Sequence, residues 1–577
     1  MAECGSPEVD LERIYRVLAE LTGLHGEDLA ALKDLEIELE QQVCHPNPVM
    51  LGVFNYARAQ GKEIVLCSDM YLSPEIIESL LSRCGYKRPY HLLVSNDLGR
   101  SKHEGSIWSD LIGRFGIESD RLVHFGDNLH ADVAMPQQQG VRAHHFDYLV
   151  RSVETRLRMK TEGPAEGHHI RSLIQGTICE RLMHRQRSFW EDIGLQIFGP
   201  LVLGKFLWFS SLARKERLER VVFFARDAYL PYHIYRKYGE RIGIGAEAEY
   251  AYFSRAALLL PSFVDMPMDR VWHLFSGRVH RTVAEHLTRL GIDPHAYLHM
   301  IREVGFDSPQ DEVPNGDYRM YRLLNLLWGQ VLLEAKRRRP LAVRYVEEMS
   351  GSAKRIGIVD IGWTGNMQGG FSRLLQLSRR GVEITGFYYG TFDSIYLNYL
   401  PRNTYRGYLV NENNPRDWYH SLTSGGVELL EFALMAPHGT TLGYELQGGH
   451  VAPILESNAC DTDLQLLAQQ VQSGVMEFID AAIPRVVDIG PEILLSSEWA
   501  RPFFRLIDEP TLEEATLLGE LTHSDSATDT TKRLHIAPNV LAEDLDEAGM
   551  AKARERAYWK RGFDVRNAPQ EPQARDA

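Results

Sequence analysis

The chain has 577 residues, 44% of them hydrophobic and 24% charged, enough to build several cores in roughly two to four domains. A formal net charge of −15 with a pI near 5.8 excludes a general nucleic-acid or anionic-membrane binder, because those need a net basic face. Cys4, Cys44, Cys67, Cys84, Cys179 and Cys460 form no C-x-x-C pair, which predicts reduced thiols in a cytoplasmic protein, and the polar stretch Met1 to Asp10 lacks the apolar core of a signal peptide.

In chain order, Leu11, Ile14, Val17, Leu18 and Leu21 recur at helical spacing, and Leu29, Leu32, Leu35, Leu39 and Val43 do so again after Gly26. A third helix over 48–60 stops at Gly61 and feeds a strand over 63–67. The pattern then alternates: helix 73–84, strand 91–94, helix 105–115, strand 122–125, and a short strand at 141–144. Such alternation predicts a parallel, doubly wound sheet. Residues 150–190 read as charged and helical. Phe198 to Ala213 is the most apolar stretch, but it contains Pro200 and Lys205 and falls short of a spanning length, so it predicts a buried helix and no transmembrane segment.

A second α/β pattern starts at Arg220, with a strand over 221–224, a helix over 230–238, and further strands over 250–253, 356–359 and 384–389. Residues 265–350 read as a mostly helical insertion. The run Lys336-Arg337-Arg338-Arg339 is expected to close a helix before Pro340, where cations favour the negative helix end.

Three segments in the first α/β pattern carry chemistry. Ser68 stands at the carboxyl end of a strand, where a hydroxyl suits a phosphoryl oxygen. Lys102 precedes a helix start, where an ammonium neutralises phosphoryl charge, and Asp127 and Asp132 follow the strand ending at Gly126, where carboxylates suit Mg²⁺. Singly, each has a plain structural explanation in caps and turns. In this order and spacing the sequence resembles the haloacid dehalogenase-like hydrolases. Ser68 matches the family's second motif, Lys102 its third, and Asp127 with Asp132 its fourth. Cys67-Ser68-Asp69-Met70-Tyr71-Leu72 further resembles the SDMYL stretch of a bacterial group linked to surface-polysaccharide genes. The resemblance covers residues 1–150 and implies a Rossmann-like fold, Mg²⁺ and phosphatase action on a sugar phosphate or similar small phosphorylated metabolite. In that site Ser68 would hold a phosphoryl oxygen, Lys102 would offset charge, Asp127 would help to hold the metal, and Asp132 would support it.

The family's first motif, D-x-D-x-T, supplies the nucleophile, and nothing before Ser68 has that form. The helices over 10–60 resemble the cap that the family inserts after that motif. Two expectations follow: the nucleophile strand lies upstream of Met1 in a longer reading frame, or the domain is a remnant that binds phosphate and metal without efficient turnover.

In the second pattern, Arg226-Asp227 and Ser254-Arg255 each follow a strand. Asp360-Ile361-Gly362-Trp363-Thr364-Gly365 forms a glycine-rich strand-to-helix turn whose amides suit a phosphate. The competing reading is an internal salt bridge and a tight turn. The D-I-G-W-T-G run faintly resembles the phosphoribosyl-binding turn of phosphoribosyltransferases, so the alternative function is a binding or transferase component of surface-glycan assembly. Glu428, Glu431 and His438 read chiefly as solvated or structural groups.

The expected architecture is α/β throughout: a cap remnant over 1–60, a Rossmann-like core over 61–150, a helical connector over 151–219, and a second α/β domain over 220–400 with its helical insertion. A mixed region over 401–566 and a disordered tail over 567–577 complete it.

Overall fold

The computed structural model describes residues 8–146, 150–159, 167–183, 185–265, 281–314, 316–411, 416–457, 462–524, 533–540 and 545–568. The tail expectation therefore falls mostly outside the described residues. The protein is a mixed α/β structure with a parallel central sheet, and the chain divides into two compact units. One comprises Met1–Thr155 with Cys179–Gln186, the other Arg156–Ile178 with Arg187–Ala577.

The first unit opens with the helices Leu11–Thr22, Gly26–Val43 and Pro48–Ala59. Asp10 caps the first of these by accepting from Arg13 N at 2.8 Å, and Asn47 caps the third ahead of Pro48. Leu11 and Tyr15 pack on Leu72, Ile77 and Val94, so the first helix is anchored by one buried stripe. Tyr15 and Tyr71 both donate to Glu36, at 2.7 and 3.0 Å, which ties the second helix down.

Strand β1 (Val65–Ser68) pairs in parallel with β2 (His91–Val94), and β3 (Val123–Gly126) pairs in parallel with β4 (Arg142–His145). The two pairs are separate two-stranded sheets, so among the described residues β1 and β3 each keep one edge without a strand partner. Both lie against the helix Ser106–Phe115. Its Ile107, Trp108 and Leu111 are buried with Leu93, Val65, Cys67 and Leu122 packed around them, and the Trp108 ring meets that of His124 at 4.5 Å. On β3, Val123 and Phe125 remain 41% exposed each, unusual for a strand inside an α/β layer.

The second unit is built on a six-stranded sheet whose pairings are all parallel. Strand β5 (Arg220–Phe224) lies between β6 (Glu247–Ala251) and β9 (Arg355–Val359). Strand β11 (Glu383–Thr391) lies between β9 and β12 (Asn403–Val410), and the short β10 (Gly362–Trp363) also pairs with β11. Two-residue strands β7 (Arg281–Thr282) and β8 (Glu312–Val313) pair antiparallel within the insertion. Strand β6 begins and ends earlier than its apolar run suggests, because its pairing with β5 runs from Glu247 to Ala251 and leaves Tyr252 and Phe253 beyond the ladder.

Helix Tyr318–Ser350 is 33 residues long and joins two cores. Its first half packs Leu323, Leu327 and Val331 into the insertion, and its second half packs Ala342, Tyr345 and Val346 under the sheet. The helix runs through Pro340 instead of ending before it. Burial on both sides of the proline outweighs one lost backbone hydrogen bond, and Arg339 donates back to Pro261 O at 2.9 Å.

The segment Phe189–Lys215 is long and apolar enough to cross a membrane by length and composition, and 94% of its apolar window is buried inside the unit. It crosses the helix Thr462–Ile489, where Gly194 and Gly474 bring the two backbones together. A hairpin of β13 (Thr441–Gln447) and β14 (His450–Leu455) contributes Val451 and Tyr444 to the core beneath the sheet.

Candidate functional sites

In the first unit Lys102 and Asp132 meet beyond the carboxyl ends of β1 and β3, while Ser68 and Asp127 stand at those ends without a bond to either. Ser68 closes β1 opposite Val94, half-buried. The next residue, Asp69, accepts from Lys102 N at 2.9 and 3.0 Å and from His103 N at 3.1 Å, so its carboxylate pins the loop carrying Lys102. Ser95, fully buried, accepts from Met70 N at 3.1 Å and holds the turn from the other side.

Lys102 Nζ donates to Asp132 Oδ1 at 2.7 Å, with the lysine side chain 15% exposed and Asp132 almost wholly buried. His124 Nε2 lies 3.0 Å from the same oxygen and donates to it, and Asn128 N donates to Oδ2 at 3.1 Å. Burial alone would raise the Asp132 carboxyl. The hydrogen bonds from His124 and Lys102, with the ammonium charge, hold it well below the usual carboxylate range. Burial pushes the adjacent Cys67 thiol up to about 12 against the pull of Lys102, so it is no nucleophile at neutral pH.

Local sequence explains the Gly126-Asp127-Asn128 turn. A Cβ on Gly126 would stand 2.4 Å from Asp132 Cγ, so only glycine lets that carboxylate fold across the strand end. Asn128 Oδ1 caps the following turn, accepting from His130 N at 3.0 Å and Ala131 N at 2.9 Å. Asp127 stands apart from the Lys102–Asp132 network, exposed at the end of β3. Among the described residues, no group of three or more His, Cys, Asp or Glu is placed to hold a metal. With Asp132 committed to three donors, the described residues do not by themselves make a Mg²⁺ site.

In the second unit the chain moves from β5 outward to β6, then returns to the other side of β5 to form β9. This reversal is a topological switch point, and ligands of open α/β sheets bind outside the strand ends there. Arg226 and Asp227 follow β5, Arg255 opens the helix Arg255–Ser262 after β6, and Asp360 follows β9. The structure thus gathers at one sheet end residues far apart in sequence. Gly362 and Trp363 pair with Gly390 and Thr391 of β11, and Gly365 precedes the helix Asn366–Ser378. Trp363 adopts a left-handed φ of 76°, and its ring stacks on Phe392 at 5.1 Å, while its Nε1 donates to Glu431 at 3.3 Å.

Lys205, in the apolar helix Gly199–Lys215, is 4% exposed. Its ammonium donates to Asp360 O at 3.0 Å and lies 3.9 Å from the centre of the Tyr389 ring. Burial brings its pKa down to about 7, despite the nearby Asp360 and Asp227. Burial lifts Asp360 to about 6, opposed by the Ile361 amide and Lys205. Asp227 is also pushed up, by burial and then by Glu431 and Asp360, against Arg226 and Arg255.

Beside this cluster, His438 Nδ1 is 2.9 Å from Gly439 O and therefore donates, so Nε2 accepts from Tyr250 OH at 2.7 Å. Burial lowers the pKa of that imidazole, which favours its neutral form. Arg226 donates to Thr440 Oγ1 at 2.9 Å.

Lys205, Asp69, Tyr250 and Thr440 were not among the residues expected from the sequence. A lone lysine inside the apolar run 198–213 was the one visible signal for Lys205. Comparison with protein-family models found no match, and neither did comparison with curated proteins.

Proposed function

We propose that the first unit is a haloacid dehalogenase-like phosphate site, of the kind that hydrolyses phosphate esters of sugars or similar metabolites, with no strand among the described residues that would carry its nucleophile. The observation that carries this reading is the Lys102–Asp132 pair, held by Asp69 and His124 at the common end of two parallel strand pairs.

A doubly wound sheet of order 3-2-1-4-5 has its first strand between the second and the fourth. Take β1 and β2 as the second and third strands and β3 and β4 as the fourth and fifth. The free edges of β1 and β3, with Val123 and Phe125 still exposed, then correspond to the position of that first strand. Lys102 supplies the charge that would hold a phosphoryl group, Ser68 a hydroxyl for one of its oxygens, and Asp127 one uncommitted carboxylate for Mg²⁺. Further metal ligands would come with the missing strand. The attacking carboxylate of such a site would come with that first strand, so the role proposed for these residues is to bind and orient the phosphoryl group.

The test pairs binding with turnover. Inorganic phosphate is expected to raise the melting temperature of the first unit, and Lys102→Ala to abolish that rise while Arg255→Ala leaves it. Hydrolysis of p-nitrophenyl phosphate with Mg²⁺ is expected to stay at background. A Lys102-independent response would remove the phosphate reading, and turnover lost on Asp127→Ala would remove the claim that the nucleophile is absent.

A further inference from the structure

We infer that the second unit carries its own binding site, at the switch point between β5 and β9, for a sugar bearing a phosphate ester. Arg226 and Arg255 would take the phosphate, and Asp227 the sugar hydroxyls. The site is independent of the Lys102 pair, since all its residues belong to the second unit.

The chain turns in opposite directions from β5, the arrangement beyond whose strand ends open α/β sheets generally bind their ligands, and Arg226, Asp227 and Asp360 are the residues at the ends of β5 and β9.

Among the described residues, Asp227 has no side-chain hydrogen bond and no ion pair within bonding distance, although the charges of Arg226, Arg255, Asp360 and Glu431 all act on it. It is enclosed by these neighbours yet keeps accessible surface. Arg255 is exposed and likewise makes no hydrogen bond or salt bridge among the described residues. A carboxyl enclosed in this way is normally hydrogen-bonded, whereas the Arg255 guanidinium stands open to solvent, where a ligand can reach it. A ligand that accepts from the guanidinium and donates to, or accepts from, the carboxyl would complete both.

Charge selects the ligand. The carboxyl groups of Asp227, Asp360 and Glu431 lie within electrostatic reach of Arg226, Arg255 and Lys205. A bare dianion would gain from the arginines and lose to the carboxyls. A molecule with its phosphate toward the arginines and hydroxyls toward Asp227 satisfies both halves. The half-buried rings of Tyr229 and Tyr250, 5.8 Å apart and next to Arg226, supply the aromatic flank that sugar rings favour. Lys205 fixes the floor: its bond to Asp360 O orients the turn that follows β9.

The shared chemistry occurs in free sugar phosphates and in nucleoside-diphosphate sugars, so both are probes. Calorimetric titration of the full chain with glucose 1-phosphate, UDP-glucose, glucose and inorganic phosphate should show saturable binding of at least one of the first two. That binding should be tenfold or more tighter than for glucose or phosphate. Tighter binding of UDP-glucose would assign the nucleotide-linked form, and equal or weaker binding the free ester. Arg255→Ala, at an exposed position that leaves the fold intact by circular dichroism, should weaken the better probe at least tenfold, and Asp227→Asn should weaken it and shift its pH dependence. Lys102→Ala should leave it unchanged, which separates this site from the phosphate site of the first unit. Failure of both sugar phosphates to bind at millimolar concentration, or full affinity in Arg255→Ala, overturns the inference.

Discussion

Replacing Lys205 by methionine is expected to make the second unit more stable near pH 6 and to lose that advantage by pH 9. The folded protein holds the ammonium in a 4% exposed position and lowers its pKa from 10.5 to about 7. At ~1.36 kcal/mol for each tenfold change in proton affinity, the charged form costs ~5 kcal/mol relative to the unfolded chain below pH 7. Methionine fills a similar volume without charge. Against that gain stand the lost bond to Asp360 O, about 1 kcal/mol, and the lost contact with the Tyr389 ring, about 1–2 kcal/mol. The net at pH 6 is ~2 kcal/mol in favour of Lys205→Met.

The sign with pH follows from proton uptake. Between pH 7 and 10.5 the unfolded lysine binds a proton that the folded one does not, so wild-type stability rises with pH across that window. By pH 9 the wild type recovers roughly 3 kcal/mol, and the advantage of the variant vanishes. Urea unfolding at both pH values reads this out through tryptophan fluorescence, because eight of the nine tryptophans lie in the second unit and only Trp108 in the first. Earlier unfolding of Lys205→Met at pH 6, or a difference that does not change with pH, would refute the reasoning.

Asp132→Asn should destabilise the first unit by about 3 kcal/mol, because it leaves the Lys102 ammonium with a neutral partner in a largely buried place. Since the Asp132 carboxyl is held below its unfolded value, wild-type stability is full above the ordinary carboxylate range and declines as pH falls below about 4. The variant should lose that acid limb, which calorimetry between pH 3 and pH 7 would show. Gly474→Ala should cost about 3 kcal/mol or more in the second unit. A methyl there would lie 2.0 Å from Glu191 O and 2.7 Å from Leu195 N, both backbone atoms that cannot move independently of their helix. Its melting temperature, set beside that of the open position Gly329→Ala, isolates the crossing from helix propensity.

Local elements were largely legible in the chain. The helix over 105–115 is bounded by Gly105 and Gly116, both in left-handed backbone conformation, and its apolar Ile107, Trp108 and Leu111 face the core as their spacing predicts. The alternation of strands and helices likewise announced an α/β protein, because a strand buried on both faces must be written as a short apolar run. Pro340 misled, since a helix boundary is decided by burial on both sides of the proline and not by the proline alone. The bond between Lys102 and Asp132 was not read from the sequence, which set the lysine against a phosphoryl group, and neither was the role of Asp69 in holding the lysine loop, because a carboxylate that accepts backbone amides leaves no periodic trace.

For the second site the division is sharper. Sequence alone determined that Arg226-Asp227, Ser254-Arg255 and Asp360 to Gly365 each follow a predicted strand, since that depends only on neighbours along the chain. That β5 lies between β6 and β9, so that these turns share one sheet end with a lysine from a helix before β5, was decided only by tertiary structure. Strand order is a property of long-range pairing, and the electrostatics of Lys205, Asp227 and Asp360 arise from mutual burial that no single segment contains.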